Sequence, residues 1–511
     1  MKPATLVRLA LAGTRTDSAR VILTALSAAL AVLTGLAAAT VLAIPTPPFS
    51  DPENFLSNHS EQYASGLLRE PGLRPGVAFA LLLLTVPVLA LAGQCARLGA
   101  PARDRRLAAL RLAGATPGQV TLVAALETGV ASLLGALVAL GAYLAGREVF
   151  DRPDQRGQLA LPTDVLPHPG VLAAVVLGLP LVATVATVLL LRAVVTGPLG
   201  VTRRATRSGA PRPWAGLLIG VGLLAFASIR PVLEVYARTG VEAPTWLVPT
   251  LLMTGGLLAM TGVVTGAGWF SYTAGRLLRR YSRGPAALLA AGRLTADPWA
   301  GSRTLAALLA ALVFGGGAAG LRAYFVADDA RLREENRLVG VDAGADPFYL
   351  ASMDLVDLAV QVAVAIAAAG MLVALVEGVV GRRRAYASLA ATGVPRATLS
   401  RSILWQVLAP AVPAVLLALT VGFFLARGLF GDVTRDNRVY VCDAGTQLCS
   451  DPATRERYTR TVGELVRSAP DVPVEQLGWL AAGTLVAVLA VTGLGLLLLR
   501  TSTAPEELRT P

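Results

Sequence analysis

Apolar residues fall along this chain in long blocks separated by short polar stretches. Ten of these blocks approach or exceed the roughly 20 residues that a helix needs to cross hydrocarbon: 20–44, 76–98, 118–145, 170–192, 213–233, 246–275, 302–325, 354–380, 400–426 and 477–499. The pattern predicts an all-α polytopic membrane protein with about ten transmembrane helices and small extracytoplasmic loops. The block at 213–233 is the most interrupted, since it contains Arg230 and is flanked by prolines. The first block is too long for the apolar core of a signal peptide and reads as a retained helix. Before it, residues 3–18 mix Leu6, Leu9 and Leu11 with Arg8, Arg15 and Asp17, which predicts a short helix lying on the inner membrane surface.

Charge placement gives the orientation. The 511 residues are 15% charged and carry a net charge of +12, against about a quarter charged in a soluble chain. The arginines stand in clusters beside the apolar blocks: Arg103, Arg105, Arg106 and Arg111; Arg203, Arg204, Arg207 and Arg212; Arg276, Arg279, Arg280 and Arg283; Arg382, Arg383 and Arg384. These clusters alternate with loops carrying Asp51, Glu53, Glu61 and Glu70, or Asp328, Asp329, Glu334 and Glu335. By the positive-inside rule the arginine loops and both termini are cytoplasmic. The charge is therefore a topology signal, and no nucleic-acid partner is expected.

The same composition excludes several chemistries. A phosphate-binding loop needs Gly-Lys-Ser/Thr, and the single lysine, Lys2, cannot supply it. The chain is expected to hydrolyse no ATP and to hold no cofactor. His59 and His168 are isolated in loops, and Cys95, Cys442 and Cys449 lack metal-site spacing, so no catalytic or metal centre is expected. Cys442 and Cys449 fall in an outer loop where oxidation is permitted; a disulfide and two free thiols are both open.

The chain also resembles itself at an offset of 279. Leu9–Gly13 matches Leu288–Gly292, and Arg105–Gly114 matches Arg384–Gly393. Glu127 then falls on Gln406, after which the offset grows to about 308, pairing Arg192 with Arg500. The extra residues belong to the longer outer loop at 427–476. Each repeat is one helix, an outer loop and three helices, starting on the cytoplasmic side, so the repeats are parallel and related by an axis along the membrane normal. The division is 1–205, a linking helix pair at 206–283, and 284–511.

Between the second and third helices of each repeat lies a short amphipathic segment. In the first, Leu107, Leu110, Arg111 and Gly114 recur at helical spacing before Pro117; the second supplies the same at Arg382–Pro395, with Tyr386, Leu389 and Gly393. Such a helix can plug into a groove on a soluble partner or anchor a loop to lipid head groups. Glu127 and Glu377 are expected inside the membrane, where a carboxylate marks either function or an interhelical hydrogen bond. Gly315–Gly317 permits close helix packing or a hinge. The loop 427–476, with Arg435, Arg438, Tyr440, Asp443, Arg455, Arg457 and Tyr458, is either a small folded binding element or a solvated spacer.

The string Arg105-Arg-Leu-Ala-Ala-Leu-Arg-Leu-Ala-Gly-Ala-Thr-Pro117, followed by Glu127, resembles the signature of FtsX-like ABC permeases, as do the closing Arg192…Pro198 and Arg500…Pro505-Glu-Glu-Leu-Arg509. The resemblance covers both repeats and is similar to the ten-helix, bacitracin-export type. It implies a bacterial plasma-membrane permease that couples ATP hydrolysis by a separate protein to export, or to extracytoplasmic mechanical work, on an amphiphilic, peptide or lipid substrate. A signal relay switching an external enzyme such as a cell-wall hydrolase is the alternative, and a secondary transporter stands behind both. The implied partners are two copies of a cytoplasmic ATPase, which would bind ATP and Mg, together with the bilayer and a candidate extracytoplasmic protein. Segments 103–117 and 382–396 would be the ATPase-coupling helices, with Arg105, Arg106, Leu107, Leu110, Arg111, Gly114, Arg383, Arg384, Tyr386, Leu389 and Gly393 as site residues. Glu127, Glu377 and Gln406 are the intramembrane polar candidates. The family's acidic residue after the first arginine is absent, since Leu107 follows Arg106 and Ala385 follows Arg384. The outer loops 45–75 and 326–353 are also short for the family.

Overall fold

The computed structural model describes residues 15–46, 60–95, 109, 112–195, 214–241, 243–244, 246–339, 348–380, 382–431, 433–436, 439–442, 459–462, 465–468 and 470–502. Ten long helices account for most of them: α1 (Arg15–Ala43), α3 (Arg74–Cys95), α4 (Pro117–Phe150), α5 (Pro169–Val195), α6 (Trp214–Thr239), α7 (Leu247–Tyr281), α9 (Pro298–Val339), α10 (Phe348–Val380), α12 (Arg396–Phe430) and α13 (Val474–Ser502). Three short helices intervene: α2 (Gly66–Arg69), α8 (Pro285–Ala296) and α11 (Arg383–Ala391). Among the described residues, eight of the long helices are long and apolar enough to cross a membrane; the apolar stretches Arg74–Leu89 and Pro169–Val185 of α3 and α5 are shorter. Large apolar side chains face outward, such as Val138 at 67%, Val182 at 66% and Leu224 at 69% exposed. A water-soluble surface does not carry apolar faces of this extent; hydrocarbon is the solvent that suits them. The chain is an all-α polytopic membrane protein.

Several boundaries differ from the hydropathy reading. The apolar part of the seventh span ends near 325, yet α9 runs on to Val339. Its extension carries i,i+4 and i,i+3 ion pairs, Arg333–Asp329 at 2.7 Å and Arg331–Asp328 at 3.5 Å, which support a helix in water. The loop expected over 326–353 is thus helical at both ends. The interrupted block at 213–233 is one helix, with Pro231 inside it. Residues 1–14, and with them most of the surface helix expected at 3–18, lie outside the described residues.

Within the loop 427–476 the described residues include four strands. Strand β1 (Val433–Asp436) pairs with β4 (Leu465–Ser468), and β2 (Val439–Cys442) with β3 (Thr459–Val462), all antiparallel. Val433 faces Ser468 and Val439 faces Val462, so the two ladders keep one register and belong to one hairpin arm. β1 touches α9. Cys442 closes β2; Cys449 lies outside the described residues, so the disulfide reading does too.

Helix packing follows the small residues. In lipid, helices gain little from apolar burial against one another, and close backbone approach supplies the contact. A Cβ on Gly316 of α9 would collide with the Leu419 backbone of α12, and one on Gly422 of α12 with the Val313 carbonyl of α9. The Gly315–Gly317 run is therefore used for packing. Gly422→Leu is expected to force α9 from α12 and cost about 1–3 kcal/mol, read as a fall in detergent melting temperature. Gly378→Ala, whose Cβ meets nothing within 4 Å, should leave it unchanged or higher.

The helices form two clusters. α1 packs on α3, α4 and α5, while α9 packs on α10 and α12, with α13 beside them. The pair α6–α7 packs on the second cluster: α7 against α8 and α9, and both against α12. The clusters meet where α3 crosses α10. There a Cβ on Gly370 would lie 3.5 Å from Leu91 Cα, and these two positions are 279 apart. Nearby, a small apolar cleft of about 40 Å³ is lined by Ala80, Leu84 and Pro87 of α3, Met260 of α7, Ala310, Ala311 and Phe314 of α9, and Ala359 and Ala363 of α10. Ala80 with Ala359, and Leu84 with Ala363, are again 279 apart.

Candidate functional site

The short helix α11 lies between the ends of two long helices. Nine residues are too few for a stable isolated helix, so its packing has to hold it. Tyr386 is 4% exposed and clusters with Val379 of α10 and Leu399 and Ile403 of α12; Leu389, Val394 and Leu496 of α13 close around them. One face of α11 is thereby plugged into the ends of three long helices. The other face, with Ala385, Ser388 and Ala391, is open, as are the neighbouring Arg382 and Thr392.

Its end is set by Gly393. This residue has φ +90°, in the left-handed region that favours glycine. The amide of Val394 donates to the Leu389 carbonyl at 3.1 Å, and both side chains join the Tyr386 cluster. This bond and contact make a Schellman stop. Gly114 of the first repeat is also left-handed, φ +91°. The helices that follow also begin 279 apart, α4 at Pro117 and α12 at Arg396. α4 starts with a capping box in which Thr116 and Gln119 serve each other's backbone amides. Gly393→Ala is expected to cost about 1 kcal/mol and to loosen α11, visible as faster amide exchange at 383–391.

Arg293 of α8 was not anticipated from the sequence. Its guanidinium donates to the Tyr386 hydroxyl and lies over the ring, 4.7 Å from the centroid. α8 itself is wedged against α7 and α12: a Cβ on Gly275 of α7 would stand 2.9 Å from Leu294 and Thr295. The sequence signal was a lone charge immediately after the repeated Leu288–Gly292 stretch.

The remaining candidates are dispersed. Arg383 and Arg384 begin α11. Arg105, Arg106, Leu107, Leu110 and Arg111 lie outside the described residues. Glu127 sits half-buried in α4, and Glu377 half-buried near the end of α10. Gln406 of α12 donates to Ser402 Oγ at 2.9 Å, a bond within its own helix.

The opposite end of the bundle is fixed differently in each cluster. In the second, Arg322 of α9 pairs with Asp354 at 2.7 Å and Asp357 at 2.8 Å on α10, and Gln476 of α13 donates to Asp357 at 3.1 Å. Beside them Phe325 stacks on Tyr349 at 4.8 Å and Tyr324 meets Phe430 at a tilt, 5.3 Å between centroids, an aromatic group of the kind found at membrane interfaces. In the first, buried Arg74 donates to the Leu68, Ile44, Pro45 and Arg69 carbonyls and to Ser60 Oγ. Tyr63 donates to Asp164 at 2.8 Å; burial and that carboxylate push its phenol above the ordinary tyrosine range, so it stays a donor.

A bundle of long apolar helices, with a short amphipathic helix seated across the ends of three of them, defines a multi-pass membrane protein. The family model of the FtsX-like permease C-terminal domain matches residues 76–199 and 358–504, more than half of the chain. The chain belongs to the FtsX-like permease family, membrane subunits of ABC transporters that work with an ABC ATPase. No curated protein and no solved structure matches it.

Proposed function

We propose that this chain supplies both permease halves of an ABC transporter and docks two copies of a cytoplasmic ATPase, one at 103–117 and one at 382–396. The α11 end of the bundle then faces the cytoplasm, with both termini, and the hairpin arm faces outward. Closure of the ATPases on ATP and Mg presses on the short helices and tilts the long ones. The tilt moves the outer ends, where the α9 extension and the hairpin arm stand. The work is done on an amphiphilic, peptide or lipid substrate, exported or released outside.

The observation that carries this reading is the seating of α11. Its buried face grips α10, α12 and α13 through Tyr386, and its open face presents Ala385, Ser388 and Ala391. A surface anchor would bury its apolar face in head groups; here that face is spent inside the bundle. The two matched segments of the family model each contain one short helix position, which supports a docking site in each half.

The test is purification of the chain from its native membrane in mild detergent. An ABC ATPase should accompany it in stoichiometric amount. Ala385→Glu with Ser388→Glu, on the open face, should cut retention at least tenfold without changing the melting temperature. Absence of an ATPase from the unaltered protein, under several gentle conditions, would sink the reading.

A further inference from the structure

The cytoplasmic ends of the two halves differ chemically. At the second, Arg293 of α8 holds the hydroxyl and ring face of Tyr386 on α11. The positions 279 earlier are Thr14 and Leu107. A threonine and a leucine cannot form a guanidinium–phenol contact. The halves also differ in what lies next: α8 is wedged between α7 and α12, and the α6–α7 pair packs on the second cluster. Gly268 of α7 sits against Trp299 of α9, with 3.2 Å left to a Cβ, and Gly275 against Leu294 of α8 at 2.9 Å. Close contacts of this kind, each with a glycine on one side, pass displacement with little slack, because a close-packed interface leaves little room to rearrange.

We infer that Arg293 is a positioning residue that locks α8 to α11, and that the second ATPase-docking site drives the α6–α7 pair through this joint. The inference rests on the proposed docking of an ATPase at α11. A push on α11 reaches Tyr386, passes to Arg293 and turns α8. α8 bears on α7 at Gly275 and on α12, so α7 and α12 move with it. Through α8 the second site engages its own α12 and the linking pair together. Neither element of the joint is exotic: an arginine over an aromatic ring gains about 0.5–2 kcal/mol, and the hydroxyl bond fixes which way the ring faces.

The experiment is amide hydrogen exchange on the purified complex with its ATPase in lipid nanodiscs, with and without a non-hydrolysable ATP analogue. Three permeases are compared: unaltered, Arg293→Met and Tyr386→Phe. In the unaltered complex, peptides covering 285–296 and 383–391 should change exchange together on nucleotide binding. In Arg293→Met the response at 383–391 should remain and that at 285–296 should be lost, with ATPase retention within about twofold of the unaltered complex. Arg293→Lys, which keeps the charge but lacks the planar fork, should restore part of the α8 response. If Arg293→Met does not assemble, Tyr386→Phe, which keeps the ring and its packing, gives the same reading and should show a weakened α8 response. A nucleotide response at 285–296 that persists undiminished in both variants would overturn the inference. So would a variant that speeds exchange at α8 equally in both nucleotide states, which marks a merely structural contact. An unaltered complex that carries no ATPase would instead defeat the docking reading itself.

Discussion

Arg74→Met is expected to open the cap at the α2 end of the first helix cluster and to cost about 3–5 kcal/mol, the range for stripping a buried charge from its partners. Arg74 is 4% exposed and its guanidinium gathers acceptors from three places: the end of α1 at Ile44 and Pro45, the loop residue Ser60, and the turn around α2 at Leu68 and Arg69. Methionine matches the length and removes every donor. Each carbonyl left without a partner costs about 1–3 kcal/mol where water is excluded. Water entering from the membrane surface brings the total toward the lower figure. The consequence should be local: loop 60–73 is released, and trypsin cuts at Arg69 at least tenfold faster in folded protein. Arg74→Lys should recover less than half of the loss, since one ammonium cannot span acceptors that a planar fork reaches. The helices of the second cluster, which use other residues, should keep their protection.

Tyr386→Ala has the second large effect, and it separates anchoring from joining. Deleting a buried aromatic ring costs about 3–5 kcal/mol in a packed site. Here that cost falls on a nine-residue helix held chiefly by its packing. α11 should lose its helical protection, and ATPase retention should drop at least tenfold in the copurification described above. Tyr386→Phe keeps the ring among Val379, Leu399 and Ile403 and should retain the ATPase. The contrast matters because Arg293 needs the hydroxyl while the seat of α11 needs only the ring.

Much of this architecture is legible in the sequence for a physical reason. Hydrocarbon demands long apolar runs with internally satisfied backbones, so block length alone locates all ten long helices. The short helix α11 was legible too, because Gly393 stands where a left-handed stop is required and a side chain there is disfavoured. What escaped was set by contacts distant in sequence. The ion pairs of Arg322 with Asp354 and Asp357 form only because α9 and α10 pack side by side. Arg293 lies 93 residues from Tyr386, and no local pattern links them. The α9 extension was missed because a hydropathy block ends with the apolar residues, whereas a helix continues wherever i,i+4 ion pairs such as Arg333–Asp329 support it. Loop 427–476 left a folded element and a spacer both open, and the long-range pairing of β1 with β4 and of β2 with β3 favours the folded element.

The most direct test of the docking account is photo-crosslinking from α11 in living cells. A benzoyl-phenylalanine placed at Ser388, on the open face of the helix, should yield one dominant adduct that mass spectrometry identifies as an ABC ATPase. The same probe at Leu137, on the lipid-facing side of α4 and 50% exposed, should yield none. An ATPase adduct at Ser388 alone is the result the account predicts. Adducts to lipid alone at both positions would contradict it and leave α11 as a surface anchor.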